Sequence, residues 1–163
     1  MKQILLSFIF AILLSITAFS QNYDTGIGLR GGNSYRSGFA YGITIKKFVS
    51  QTNAIEAILA LRYKGIGITG LYEIHTTAFG VPELQLYYGF GAHLGFWDDN
   101  RRDYEPLFND DTETVAGIDG IIGLEYTIKE IPFSISVDYH PYVNIIRYYG
   151  LQGTAAISIR FLF

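Results

Sequence analysis

The chain has 163 residues, 49% of them apolar and only 17% charged, with 13 Tyr, 12 Phe, 18 Gly and no Cys. That is room for one domain, and the lack of Cys excludes a disulfide scaffold, thiol chemistry and a lipid anchor on Cys. A net charge of −3 offers no basic face to a nucleic acid, and glycines without a three-residue period exclude a collagen-like chain.

Residues 1–20 read as a cleaved signal peptide. Lys2 supplies the positive charge, residues 4–19 are the apolar stretch, and Ala18-Phe19-Ser20 places small residues at the −3 and −1 positions. Gln21 then becomes the new N-terminus, and 21–163 is the second segment, a single folded domain. A transmembrane helix competes for the first segment, but sixteen apolar residues fall short of the ~20 that a span needs. No later apolar run reaches that length either. Any further embedding in a membrane is therefore by strands.

From Tyr23 onward the hydrophobic period is two. Eight strands follow in order, at 23–32, 38–47, 54–63, 66–78, 84–97, 115–128, 133–142 and 151–163. Connections alternate in length: 49–53, 79–83 and 129–132 are short turns, and the longest link is 98–114. That alternation suits a barrel with tight turns at one end. Proline is expected only at strand ends or in loops (Pro82, Pro106, Pro132, Pro141), where a missing N–H does least harm.

Alternate residues separate into two rows. One row is apolar, for example Phe39, Tyr41, Ile43, Ile45 on the second strand and Ala155, Ile157, Ile159, Phe161, Phe163 on the last. It carries no charge, whereas about forty positions at the chain's average would hold about seven. The other row is small and polar, as in Gln85, Gly89, Gly91, His93 or Ser134, Ser136, Asp138, His140. A soluble, lipocalin-like barrel would turn the polar row outward, but solubility demands a Lys- and Glu-rich exterior. Gly, Ser, Thr and Ala instead fit the narrow interior of eight strands, which side chains just fill. Tyr63, Tyr72, Phe96, Tyr126, Phe133 and Tyr139 near strand ends suit aromatic girdles at a membrane surface. The expected fold is all-β: an eight-stranded, antiparallel, up-and-down transmembrane β-barrel with the polar row inside.

The final strand, Thr154 to Phe163, resembles the C-terminal assembly signal of outer-membrane barrels, in which apolar residues alternate up to a terminal Phe. The resemblance implies that Phe161 and Phe163 address the barrel-insertion machinery. The stretch 117–145, GIDGIIGLEYTIKEIPFSISVDYHPYVNI, is similar to the sixth and seventh strands of porin-family outer-membrane β-barrel-domain proteins. Length and strand count resemble the small barrels typified by outer membrane proteins A and X. This implies the outer membrane of a Gram-negative cell envelope, lipid and lipopolysaccharide as neighbours, and no particular activity.

The inner row holds the candidate site. Arg30, Lys46, Arg62 and Arg160 face Glu56, Glu73, Asp119, Glu125 and Asp138; near balance implies pairing, because a lone charge in a narrow interior is costly. The chain path puts Lys46 beside Glu56, Arg62 beside Glu73, and Arg160 within a strand or two of Asp138 and Glu125. A packed polar plug that holds register is preferred over a pore lining, since eight strands leave little lumen. His75, His93 and His140 also point inward. They lie on separate strands at different heights, and no ligand spacing such as HxH or HExxH is present, so no metal or cofactor is expected.

The strand-borne serines Ser134, Ser136 and Ser158 face the lumen, away from acyl chains, which speaks against a lipid A-modifying enzyme. Segment 98–114 has seven acids and two bases but not the EF-hand pattern. It reads as an extracellular loop, with Tyr104, Leu107 and Phe108 as possible anchors for a partner that the sequence leaves unknown. Gly65-Ile66-Gly67 and Gly117-Ile118-Asp119-Gly120 lack the Lys and following helix of a phosphate loop. The expected role is a non-enzymatic barrel presenting extracellular loops, for envelope integrity or adhesion. A narrow pore is the alternative, and a lipid A-modifying enzyme a more distant one.

Overall fold

The computed structural model of the protein describes residues 24–34, 38–62, 65–98, 112–146 and 150–163. The segment read as a signal peptide lies outside them, as does nearly all of the long link. Eight strands form: β1 (Thr25–Ser34), β2 (Gly38–Phe48), β3 (Asn53–Arg62), β4 (Gly65–Ala78), β5 (Val81–Asp98), β6 (Thr112–Ile128), β7 (Phe133–Ile146) and β8 (Leu151–Leu162). Each pairs antiparallel with its neighbour in sequence, and β1 pairs with β8 from Gly26↔Leu162 to Ser34↔Thr154. Thr25 and Phe163 exchange backbone hydrogen bonds of 3.0 and 2.9 Å. The barrel is closed, so no strand edge is left to pair with another chain.

Every expected strand is found, and several run further than the pattern suggested. The chain between β1 and β2, β3 and β4, and β7 and β8 is therefore only 35–37, 63–64 and 147–150, so 99–111 is the one long connection at the end remote from the termini. Because β7 extends to Ile146, Pro141 lies inside a strand, where only strand ends and loops were expected. It still aligns with Gly153 of β8. On the other side, the β6–β7 register omits the positions between Asp119↔Tyr142 and Ile122↔Tyr139. Proline has no N–H to give to that ladder.

The two rows face as expected. Leu29 is 72% exposed, Phe90 66% and Ile157 56%, whereas Lys46, Glu56 and Arg160 are 0% exposed. Lys47, exposed on β2 opposite Thr25, extends the outward row beyond Ile45. The row is thus not wholly charge-free: Lys47 falls within the expected strand 38–47 and takes an outward position one residue before β2 ends at Phe48. At the β4–β5 turn, Phe79 (φ 53°) and Gly80 (φ 70°) both adopt the left-handed conformation, as a two-residue type I′ hairpin requires.

The core is the lumen itself. Ile58, Leu71, Tyr87 and Ile121 form a buried cluster there, one residue from each of β3 to β6. A Cβ on Gly123 would lie 2.6 Å from the Tyr87 ring and from the Asp138 Cβ, so glycine at 123 makes the room that Tyr87 occupies.

Candidate functional site: the polar lumen

Strand alternation aims one side chain in two at the barrel axis, and the inner residues stack in three tiers. The tier nearest the termini is built on Lys46, which β2 places against β3. Its Nζ lies 2.7 Å from Glu73, 3.1 Å from Glu125 and 3.4 Å from Glu56, and 4.1 Å above the Tyr87 ring. Arg160 reaches Glu56 at 2.5 Å and Glu125 at 3.6 Å, and donates to the Ser136 hydroxyl at 2.9 Å. Thr44 donates to Glu56, and Ser134 to Glu125 at 2.6 Å. Two cations thus face three carboxylates. The His75 ring adds a further contact, with Nε2 3.0 Å from Glu73 and Nδ1 3.0 Å from Gln85, while stacking on Tyr87 at 5.1 Å.

In the middle tier Arg30 grips Asp138 with two parallel hydrogen bonds of 2.7 and 2.6 Å, the bidentate geometry that guanidinium favours. Tyr87 donates to the same carboxylate at 3.1 Å. The upper tier centres on Asp119, whose two oxygens lie 2.8 Å from His93 Nδ1 and 2.7 Å from His140 Nε2. His93 also meets Asn144 at 3.0 Å, and Tyr142 donates to Gln152 at 3.0 Å.

Set against expectation, Lys46 and Glu56 do meet, and Arg160 does reach Glu125. Two assignments change. Glu73 aligns with Ala54, whereas Arg62 aligns with Gly65, so the two are far apart along the β3–β4 hairpin and Glu73 takes Lys46 instead. That register follows from the β3–β4 pairing; the side chain of Arg62 lies outside the described residues. Asp138 pairs with Arg30, while Arg160 turns to Glu56. The histidines are not all at different heights, because His93 and His140 share one carboxylate.

The apolar members of the lumen were missed, although strict alternation from Glu56, Glu73, Gln85 and Asp119 would have turned Ile58, Leu71, Tyr87 and Ile121 inward. Ser134, Ser136 and Ser158 are buried inside and bonded into the charged tiers. Among the described residues no group of His, Cys, Asp and Glu is arranged to hold a metal ion. On the outer row, Phe161 packs edge-on against Phe133 with ring centres 5.5 Å apart, and Phe163 is half exposed.

An apolar, lipid-suited exterior around a polar, packed interior, closed by eight antiparallel strands, defines the small transmembrane β-barrel fold. The fold is that of the outer membrane protein A and X type. Among solved structures, the N-terminal β-barrel domain of Pseudomonas aeruginosa OprF superposes with a TM-score of 0.69 at 15% identity, covering 85% of this chain and 96% of that one. A de novo designed transmembrane β-barrel gives 0.58 at 14%, covering 89% and 100%. Neisserial surface protein A gives 0.57 at 13%, covering 88% and 98%. These likenesses show the fold. No protein-family model and no curated protein matches the chain.

Proposed function

We propose that this chain is a non-enzymatic, non-conducting barrel of the Gram-negative outer membrane, with its termini in the periplasm. Its role is to hold the acidic segment 99–111 at the cell surface, for envelope integrity or adhesion. The observation that carries this reading is the plug in the half of the lumen nearest the termini: Lys46, Glu56, Glu73 and Arg160 are fully buried, directly beside the Ile58–Leu71–Tyr87–Ile121 cluster. Charged side chains packed out of solvent against one another are the reverse of a water-lined path, which disfavours the narrow-pore alternative. The inward serines disfavour acyl-chain chemistry, because a nucleophile for lipid must reach the lipid. Lipid and lipopolysaccharide are the expected neighbours of the outer row, and Phe161 with Phe163 is the expected address for the insertion machinery.

Purified barrel in planar lipid bilayers tests the main claim. No discrete current steps are expected, and stable ohmic steps would refute it. Phe163→Ala is expected to lower the folded fraction recovered from outer membranes, and unchanged lipid A mass spectra in a deletion strain are expected if no lipid chemistry occurs.

A further inference from the structure

The half of the lumen above the Arg30–Asp138 pair is not filled. It holds a cavity of about 460 Å³, within the range of small-molecule sites and equal to roughly fifteen molecules' share of liquid water. The walls differ in character. On β6 and β7 the lining includes Asp119, His140, Tyr142 and Asn144; on β2 to β4 it includes Ala40, Ile58, Ala60 and Gly67. We propose that this cup binds a small, uncharged amphiphile: a compact apolar ring bearing a hydroxyl or N–H group.

Three observations lead there. First, the charges lining the cup are already matched. Asp119 has an imidazole on each oxygen, and Arg30 is held bidentately by Asp138. A charged guest would lose its hydration and find no free counter-ion, which is costly. Second, polar atoms remain on offer. With Nε2 of His140 on Asp119, its Nδ1 has no partner among the described residues, nor do the hydroxyls of Thr69 and Thr154 that line the same space. These suit a single hydroxyl or N–H group. Third, the apolar wall is left flat without need. A Cβ on Gly67 would meet nothing nearer than the Leu94 carbonyl oxygen at 3.7 Å, so the protein's own packing does not require glycine there.

Ile58 and Arg30, which Asp138 holds, line the side of the cup toward the plug. The site goes beyond loop presentation and is separable from it. Conductance would overturn the plugged-lumen reading, while the cup is tested by binding alone.

The test is an amide-shift NMR titration of the folded barrel in micelles with p-cresol as probe. Saturable shifts are expected at Gly67, Thr69 and Thr154. Gly67→Leu, which fills the cup, should weaken binding roughly tenfold or more, as should replacing the probe with p-toluate or p-methylbenzylamine. Gly70→Leu, on the outer face of the same strand with nothing within 4 Å of its added Cβ, should leave binding unchanged. If Gly67→Leu does not fold, Ala60→Leu fills the same wall. Shifts that do not saturate, that survive the filling variant, or that are matched by a charged analogue overturn the proposal.

Discussion

At the scale of single residues, burial decides which side chains matter. Arg160 is fully buried between Glu56, Glu125 and Ser136. Arg160→Ala therefore leaves three buried carboxylates, Glu56, Glu73 and Glu125, facing Lys46 alone. We expect a loss of about 3–5 kcal/mol in urea unfolding from lipid vesicles, and an unchanged midpoint would show that the tier is not packed. Phe79 makes the opposite case. It occupies the first left-handed position of a type I′ turn, where Asn is preferred and where residues other than Gly, Asn or Asp cost about 1–2 kcal/mol. Phe79→Asn is expected to raise the unfolding midpoint; a lower midpoint would mean that the exposed ring is held by contacts worth more than its strain. The charged residues of the lumen were legible from alternation. Their partners were legible only in part: Lys46–Glu56 and Arg160–Glu125 followed from the chain path, but pairing depends on the height of each residue, and the hairpin register sets Glu73 opposite Ala54, far from Arg62.

Strands are the unit at which the lipid-facing row acts. On β8, Ile157 projects outward opposite Val137 of β7 and Gly31 of β1, while Ser158 beside it is buried. Ile157→Lys places a charge on the lipid face, for an expected cost of about 2–4 kcal/mol near the bilayer midplane. Lys47→Leu at the rim should cost nothing measurable in the same vesicle unfolding assay. Equal effects at the two positions would show that no depth-dependent apolar environment surrounds the barrel. Strand existence was plain in the sequence because period two persists along each element. Strand ends were less so, since backbone pairing continues after the pattern fades, and Pro141 was carried into β7 in this way.

For the whole molecule, closure removes every free edge, and freeing any strand means breaking the ladders on both its sides. The purified protein is therefore expected to migrate faster on detergent gels unheated than after boiling. A mature chain that migrates identically either way, or stays soluble without detergent, would be inconsistent with the fold. Alternation of charge-poor and polar rows by itself determined the all-β class, the eight strands and which face meets lipid, because side-chain parity is a local property of an extended chain. Only the tertiary structure decided which charges pair, that Tyr87 and three aliphatic residues share the plug, and that His93 and His140 converge on Asp119. It alone left the upper lumen open. Those facts depend on register and strand tilt, which closure of the barrel sets and no stretch of sequence carries alone.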